Sequence, residues 1–208
     1  MLTEYYRLTK PGIIRGNLVA TIAGFFLASQ GDIDFALFIF TLVGTAMVIA
    51  CGCVINNYFD KNIDAKMPRT KNRALATGKI PDQNALIFAS VLGVLGTLLL
   101  VVFVNLLTAM IGLFGLFAYV VLYGIAKRRT VHGTLVGTIS GAIPPVAGYT
   151  AVAGTIDQAA VILFLIFSTL SSLTHCPSNK SEEEEEEEAH SQSSNQHPFF
   201  VFVLLEGN

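Results

Sequence analysis

Apolar and polar positions divide this 208-residue chain into long apolar runs separated by short polar segments. A helix of about twenty mostly apolar residues is long enough to cross the hydrocarbon core of a bilayer. Five runs of this length are predicted to be spans, and a sixth begins after them: residues 11–30, 35–57, 85–104, 107–126, 133–153 and a run from Gln158. The pattern therefore predicts an all-α fold, a multi-spanning transmembrane helix bundle of about five to six spans.

Local features refine two of these spans. A basic start before a short apolar run is typical of a cleavable signal peptide, but Pro11 in the first helical turn and the later spans favour a retained first span. The fifth run contains glycines at four-residue spacing, Gly133, Gly137 and Gly141, which permit close helix packing in lipid. The adjacent Pro144-Pro145 pair is expected to break or kink that helix.

Basic residues are confined to alternate connections. The N-terminal segment carries three, the connection after the second span six and the connection after the fourth span three, whereas the connections after the first, third and fifth spans carry none. The positive-inside rule therefore predicts the basic connections on the cytoplasmic or matrix side. The expected location is an integral multi-pass protein of a bacterial plasma membrane or a mitochondrial inner membrane.

Composition supports a lipid bilayer as the environment, since 52% of residues are hydrophobic and 13% charged. The formal net charge of −2 combines two unlike parts: residues 1–167 carry an excess of basic residues, and residues 168–208 contain seven consecutive glutamates. Such a charge run cannot bury enough apolar surface to fold. We expect a membrane part over 1–167, a disordered acidic tail over 168–208, and no nucleic-acid partner.

A group of polar residues follows the second apolar run. Asn56, Asp60 and Asp64 recur at i, i+4 and i+8, which places them on one face of a helix. Two carboxylates and an amide on one face suit Mg²⁺, which takes few protein oxygens and completes its shell with water and phosphate. Lys71 and Arg73 follow and would meet the charge of a phosphate group. The pattern indicates a metal–diphosphate site, although spacing alone also fits an ordinary solvated loop.

The motif Asn56-x-x-x-Asp60-x-x-x-Asp64, followed by Arg69-Thr70-x-x-Arg73, closely resembles the first aspartate-rich motif of the intramembrane (UbiA-type) prenyltransferases. Further motifs resemble the branch of that family that attaches a farnesyl group to haem, and they occur in the same order. They are Thr9-Lys10-Pro11-Gly12, Lys127-Arg128-x-Thr130, Gly137, Gly141-Ala142, Pro144-Pro145 and Gly148-Tyr149. The resemblance runs from about residue 8 to residue 167.

The resemblance implies transfer of the farnesyl group of farnesyl diphosphate to a vinyl group of haem B, which gives haem O. Haem B would be a substrate, and Mg²⁺ the cofactor. Asn56, Asp60 and Asp64 would hold the metal and act in catalysis together with Lys127. The residues expected to bind the diphosphate are Arg69, Lys71, Arg73 and Arg128. Haem A synthase or the terminal oxidase are partners that such a role implies.

The chain also departs from the family pattern. A second acidic motif and about three of the family's nine spans are missing, and unrelated residues follow Phe167. We therefore expect a truncated, incomplete bundle that is inactive on its own. Two alternatives remain: a non-catalytic membrane fragment, and an ion-coupled transporter that uses Asp60 and Asp64 as a relay.

Overall fold

The computed structural model describes residues 2–66, 70–124 and 133–173. Every regular element in these ranges is helical, which confirms the all-α prediction. We number the α-helices in chain order and treat the π-helical segment that continues α5 separately. The elements are α1 (Leu2–Leu8), α2 (Pro11–Ser29), α3 (Phe35–Asp64), α4 (Asp82–Phe103), α5 (Leu106–Phe117), the π-helix Ala118–Tyr123, α6 (Gly133–Ala153) and α7 (Gln158–Leu173).

Helix α3 is the longest element and carries the predicted acid motif. It begins at an N-cap, where the Asp34 carboxylate accepts hydrogen bonds from the backbone N–H groups of Ala36 and Leu37 at 2.9 and 3.0 Å. Its 30 residues span about 45 Å, more than the roughly 30 Å of a hydrocarbon core. The helix continues beyond the predicted apolar span, which ends near residue 57, to Asp64, so the whole motif lies in regular helix at its C-terminal end, as its spacing predicts.

Three helices are long and apolar enough to cross a membrane by length and composition: α2, α3 and α4. Shorter apolar helical stretches cover Leu106–Leu122 and Gln158–Ser171. Helix α4 exposes large apolar side chains along its length, as a helix in contact with lipid does. These are Ile87, Val91, Val94, Leu98 and Val102.

The most extensive helix contacts pair α3 with α4 and α2 with α6. Helices α2 and α6 approach backbone to backbone at two glycines. A Cβ atom added at Gly24 would lie 1.9 Å from the carbonyl oxygen of Pro145, and one added at Gly148 would lie 2.0 Å from that of Thr21. Helices α2 and α6 therefore pack closely through Gly24 and Gly148, and the packing role of Gly133, Gly137 and Gly141 stays a prediction.

The N-terminal segment and the connection after α3 meet at one end of the bundle. The Asn57 side-chain amide donates to the carbonyl oxygen of Leu8 at 2.9 Å. Lys61, near the end of α3, forms an ion pair with Asp82 at the start of α4. The basic N-terminal segment and the basic connection after α3 thus share one end, as an alternating up-and-down arrangement requires.

The opposite end joins the α4–α5 turn to α6. The Asn105 carboxamide caps α5 by accepting from the N–H of Thr108 at 2.7 Å, and it donates to the carbonyl oxygens of Thr150 and Ala151. Beyond α6, the Asp157 carboxylate has a lowered pKa because the N–H of Ala160 and the Tyr149 hydroxyl donate to it. The side of the membrane on which each end lies stays a prediction.

Three local features differ from the sequence-based expectations. Helix α1 forms within the segment expected to be only a basic lead-in, and α6 continues through Pro144 and Pro145 without a break. Helix α7 runs past residue 167 to Leu173. The predicted disordered tail lies outside the described residues from residue 174 onward, and the division into 1–167 and 168–208 stays a prediction.

Candidate active site

The acid stripe, which consists of Asn56, Asp60 and Asp64 on one face of α3, is buried at the C-terminal end of this helix. Asn56 is 4% exposed, Asp60 3% and Asp64 2%. Burial of a carboxylate is unfavourable unless positive charge or hydrogen-bond donors compensate it. The surroundings of this stripe must therefore supply such groups.

Arg73 supplies both positive charge and hydrogen-bond donors to the Asp64 carboxylate. Its Nη1 atom donates to both carboxylate oxygens of Asp64, at 2.9 and 2.8 Å. The Thr70 hydroxyl donates to the backbone carbonyl oxygen of Asp64 at 3.1 Å, which fixes the chain just before Arg73. The structure thus brings together two of the predicted site residues, one proposed as a metal ligand and one as a diphosphate ligand.

A small apolar cluster holds this connection against the helices. Ala74, Leu75 and Ile80 are buried together with Leu8 of α1 and Val54 of α3. Their burial removes apolar area from water and folds the connection back onto α3. Arg73, which precedes the cluster, is thereby positioned over the end of the helix.

Asn56 is held by a residue distant in sequence. Its side-chain amide donates to the Tyr119 hydroxyl at 3.3 Å. Tyr119 lies in the π-helix that follows α5, a type of irregularity frequent at functional sites. Tyr119 also lines an apolar cavity of about 50 Å³ between α3, α5 and α6, whose walls include Gly52, Gly115 and Ile143.

A larger polar cleft of about 450 Å³ lies at the same end of the bundle. Its walls come from α1, the first turn of α2, the end of α3 and the connection after α3. The lining residues are Glu4, Arg7, Leu8, Lys10, Pro11, Gly12, Ile13, Asn57, Asp64, Asn72, Arg73, Ala74 and Leu75. The Asp64–Arg73 pair therefore faces a space large enough for a ligand.

Of the other residues predicted to bind the diphosphate, only Lys71 is among those that the structure describes. Lys71 is exposed and is not among the cleft residues. Arg69, Lys127 and Arg128 lie outside the described residues. Their binding roles stay predictions.

The donor set at the end of α3 is compatible with Mg²⁺. Within the described ranges no three His, Cys, Asp or Glu side chains group as a metal site. Two carboxylates and an amide nevertheless offer only oxygen ligands, and Mg²⁺ takes few protein ligands besides water and phosphate. Asn56, Asp60 and Asp64 therefore fit the ion by chemistry, and their role as its ligands stays a prediction.

Sequence patterns missed two residues of this region. Tyr119 lies inside an apolar run, and no periodicity marks it as a partner of Asn56. Lys10 enters the sequence analysis only within the Thr9-Lys10-Pro11-Gly12 motif and as one of the basic residues that set the topology, and neither feature places it in the cleft. Asn57, which lies off the predicted stripe, is also buried, because α1 covers it.

Comparison with known proteins identifies the class to which this fold and site belong. The model of the UbiA prenyltransferase family matches residues 17–189, and the chain belongs to that family. Its relatives include the protoheme IX farnesyltransferases of Yersinia pseudotuberculosis serotype O:1b (strain IP 31758), 54% identical, and Escherichia coli O139:H28 (strain E24377A / ETEC), 52% identical. Each similarity extends over 169 residues, 81% of this chain and 57% of the relative.

A solved structure supports the same class. It comes from work on the biosynthesis of digeranylgeranylglyceryl phosphate synthase in membranes, and it superposes with a TM-score of 0.69 at 28% identity. The similarity covers 82% of this chain and 59% of that one. Family membership and the apolar helices together identify an integral membrane protein of the prenyltransferase type. The chain spans little more than half the length of these relatives.

Proposed function

We propose that this chain forms the donor-binding part of a protoheme IX farnesyltransferase, an enzyme that joins the farnesyl group of farnesyl diphosphate to a vinyl group of haem B to give haem O. The relatives named protoheme IX farnesyltransferase, at 52–54% identity, support this assignment. Because the chain spans 57% of their length, the activity of the whole enzyme is proposed for it by similarity.

The observation that carries the proposal is the buried polar stripe on α3 with Arg73 bound to Asp64 beside a polar cleft. A diphosphate leaving group carries several negative charges, and its departure requires positive charge close to its oxygens. Arg73 already lies there, and its pairing with Asp64 keeps the guanidinium oriented toward the cleft. When bound, Mg²⁺ would supply further electrostatic stabilisation of the leaving group. Asn56, Asp60 and Asp64 would hold the ion.

The apolar part of the donor needs a separate environment. An allylic centre that develops positive charge must be shielded from bulk water, and an isoprenoid chain requires apolar walls. The cavity beside Tyr119 provides such walls directly next to Asn56. We propose that the allylic end of the isoprenoid lies at this space between α3, α5 and α6, whose volume of about 50 Å³ holds only part of a farnesyl chain, with Tyr119 and Asn56 at the boundary between polar and apolar groups.

The proposal includes two further statements. Binding of the donor depends on Mg²⁺. The 208-residue chain does not turn over alone, since its sequence contains one acidic motif of this type. The further partners we propose are the lipid bilayer and, in assembly, haem A synthase or the terminal oxidase. The basic end would face the cytoplasm or the mitochondrial matrix.

The test first measures binding of labelled farnesyl diphosphate to the full chain in nanodiscs, with Mg²⁺ or with EDTA. Haem B is then added, and haem O is detected by chromatography. Asp60→Asn and Asn56→Ala are expected to weaken binding at least about tenfold, which corresponds to about 1.4 kcal/mol. Their matched controls are Asp32→Asn, in an exposed turn, and Asn62→Ala, exposed on the same helix.

Each outcome bears on a different part of the proposal. Mg²⁺-dependent binding without haem O supports a donor site that does not turn over alone. Haem O produced by the 208-residue chain would refute the expected inactivity and leave the assignment standing. Failure of the unchanged chain to bind farnesyl diphosphate would contradict the proposed function and favour the transporter alternative.

A further inference from the structure

Lys10 has an unusual backbone conformation at the junction of α1 and α2. It is the N-cap residue of α2, with φ 52° and ψ 70°, in the left-handed region that residues other than glycine rarely adopt. Such a conformation persists only where the surrounding structure enforces it, and functional sites are among the places where it occurs. Here it turns the chain sharply between α1 and Pro11, and the Lys10 side chain is directed toward the bundle.

The side chain brings a buried positive charge to the cleft. Lys10 lines the polar cleft together with Asp64 and Arg73, and its ammonium nitrogen is withdrawn from solvent. Lys10 therefore faces the same side of α3 that carries Asn57 and Asp64 into the cleft.

Asn57 provides an independent indication of a ligand. Its side chain is 4% exposed and lines the same cleft. The amide nitrogen donates to Leu8, but Oδ1 has no hydrogen-bond partner among the residues described here. Buried polar atoms in native structures are nearly always paired, so an unpaired acceptor on a residue that lines the cleft calls for a donor, which ordered water or a hydrated ligand supplies.

We propose that Lys10, with Asn57 beside it, is a further binding residue for the diphosphate group of the prenyl donor; this inference rests on the proposed function. A hydrated diphosphate has the required mixture of groups. Its oxygens accept from the Lys10 ammonium and from Arg73, and water carried with it donates to Asn57 Oδ1. The diphosphate would thus be held from the α1–α2 junction as well as from the connection after α3.

The test compares matched charge removals in the full chain in nanodiscs, with calorimetric titration of farnesyl diphosphate, inorganic diphosphate and haem B. Lys10→Gln is expected to raise the Kd for both diphosphates about 10- to 100-fold, the usual effect of losing a hydrogen bond to a charged group. Arg15→Gln removes a charge from an exposed position of α2 outside the cleft and is expected to change each Kd less than about twofold.

Two further variants separate charge from backbone conformation. Lys10→Gly removes the ammonium at a position where a positive φ favours glycine, so it should lose diphosphate affinity without a lower melting temperature. Lys10→Arg keeps a cation and is expected to recover most of the affinity. A loss of stability in Lys10→Gly equal to its loss of affinity would contradict a direct binding role.

The remaining outcomes distinguish this inference from the proposed function. If Lys10→Gln binds farnesyl diphosphate as tightly as Arg15→Gln does, while Asp60→Asn loses binding, the inference is overturned and the proposed function stands. If Lys10→Gln weakens haem B instead, the cleft binds the carboxylates of the acceptor and the inference is overturned. No binding of farnesyl diphosphate by the unchanged chain would overturn both.

Discussion

Replacing Gly24 with alanine tests the backbone contact between α2 and α6. The added Cβ would lie 1.9 Å from the carbonyl oxygen of Pro145 and 2.8 Å from its carbonyl carbon. Both atoms belong to the backbone, so no side-chain rotation can relieve the contact. The helices would have to separate by about 1.5 Å to restore an ordinary contact of 3.4 Å or more.

The expected cost is substantial because the packing on both sides of this contact is lost as the helices separate. Overpacking a well-packed interior typically costs about 1–3 kcal/mol. For a chain of this size that loss corresponds to a fall in melting temperature on the order of 2–10 °C. Gly148→Ala meets the carbonyl oxygen of Thr21 at 2.0 Å and is expected to behave in the same way from the opposite helix.

The chain offers a matched control on the same helix. A Cβ at Gly12 would meet nothing within 4 Å. Gly12→Ala is therefore expected to leave stability unchanged or to raise it by less than about 1 kcal/mol, because alanine lowers the entropy of the unfolded chain. The two substitutions make the same chemical change and differ only in what the new methyl group contacts.

The assay can use the chain's own thiols. Cys51 and Cys53 are free and buried in α3, so a maleimide dye that fluoresces on reaction with thiols reports unfolding. Every variant should carry Cys176→Ser, so that the signal comes from these two cysteines alone. Equal melting temperatures for Gly24→Ala and Gly12→Ala would show that α2 and α6 are not in backbone contact at this position.

Two other predictions follow from the site and the topology. Arg73→Gln should destabilise the fold by about 3 kcal/mol, because it leaves the Asp64 carboxylate buried without the Arg73 guanidinium. Combining Arg73→Gln with Asp64→Asn should recover at least half of that loss, as measured by the same thiol assay. A double variant less stable than Arg73→Gln would contradict the ion-pair argument. Single cysteines that replace Lys71 and Asp32 in a cysteine-free background should react with a membrane-impermeant maleimide from opposite sides of the membrane. The cysteine at position 71 should react from the cytoplasmic or matrix side. Labelling of both positions from one side would refute the predicted orientation.

The helical architecture could be predicted from sequence because it depends on local chemistry. Backbone groups in a bilayer must be satisfied within each segment, so long apolar runs form helices wherever tertiary contacts place them. The segregation of basic residues and the i, i+4, i+8 spacing of the acid stripe are also local. Asn56, Asp60 and Asp64 could therefore be placed on one face of a helix before any packing was known.

The predicted apolar span is shorter than α3 because the last turns of the helix are polar, although the spacing of Asp60 and Asp64 already indicates helix there. Apolar length alone ends the span near residue 57, whereas the structure continues the helix to Asp64. Two contacts stabilise this extension: Arg73 binds the Asp64 carboxylate, and Thr70 binds the Asp64 carbonyl oxygen. Both partners come from the following connection, whose path cannot be read from helical periodicity.

Only the tertiary structure decides which residues complete the site. The contact of Asn56 with Tyr119 joins positions 63 residues apart, and the burial of Asn57 depends on α1, which apolar periodicity did not predict. Lys10 reaches the cleft because the chain turns sharply before Pro11 and α1 packs beside α3. Periodicity specifies the face of a helix on which a residue lies, but the neighbour of that face is decided by how the helices pack.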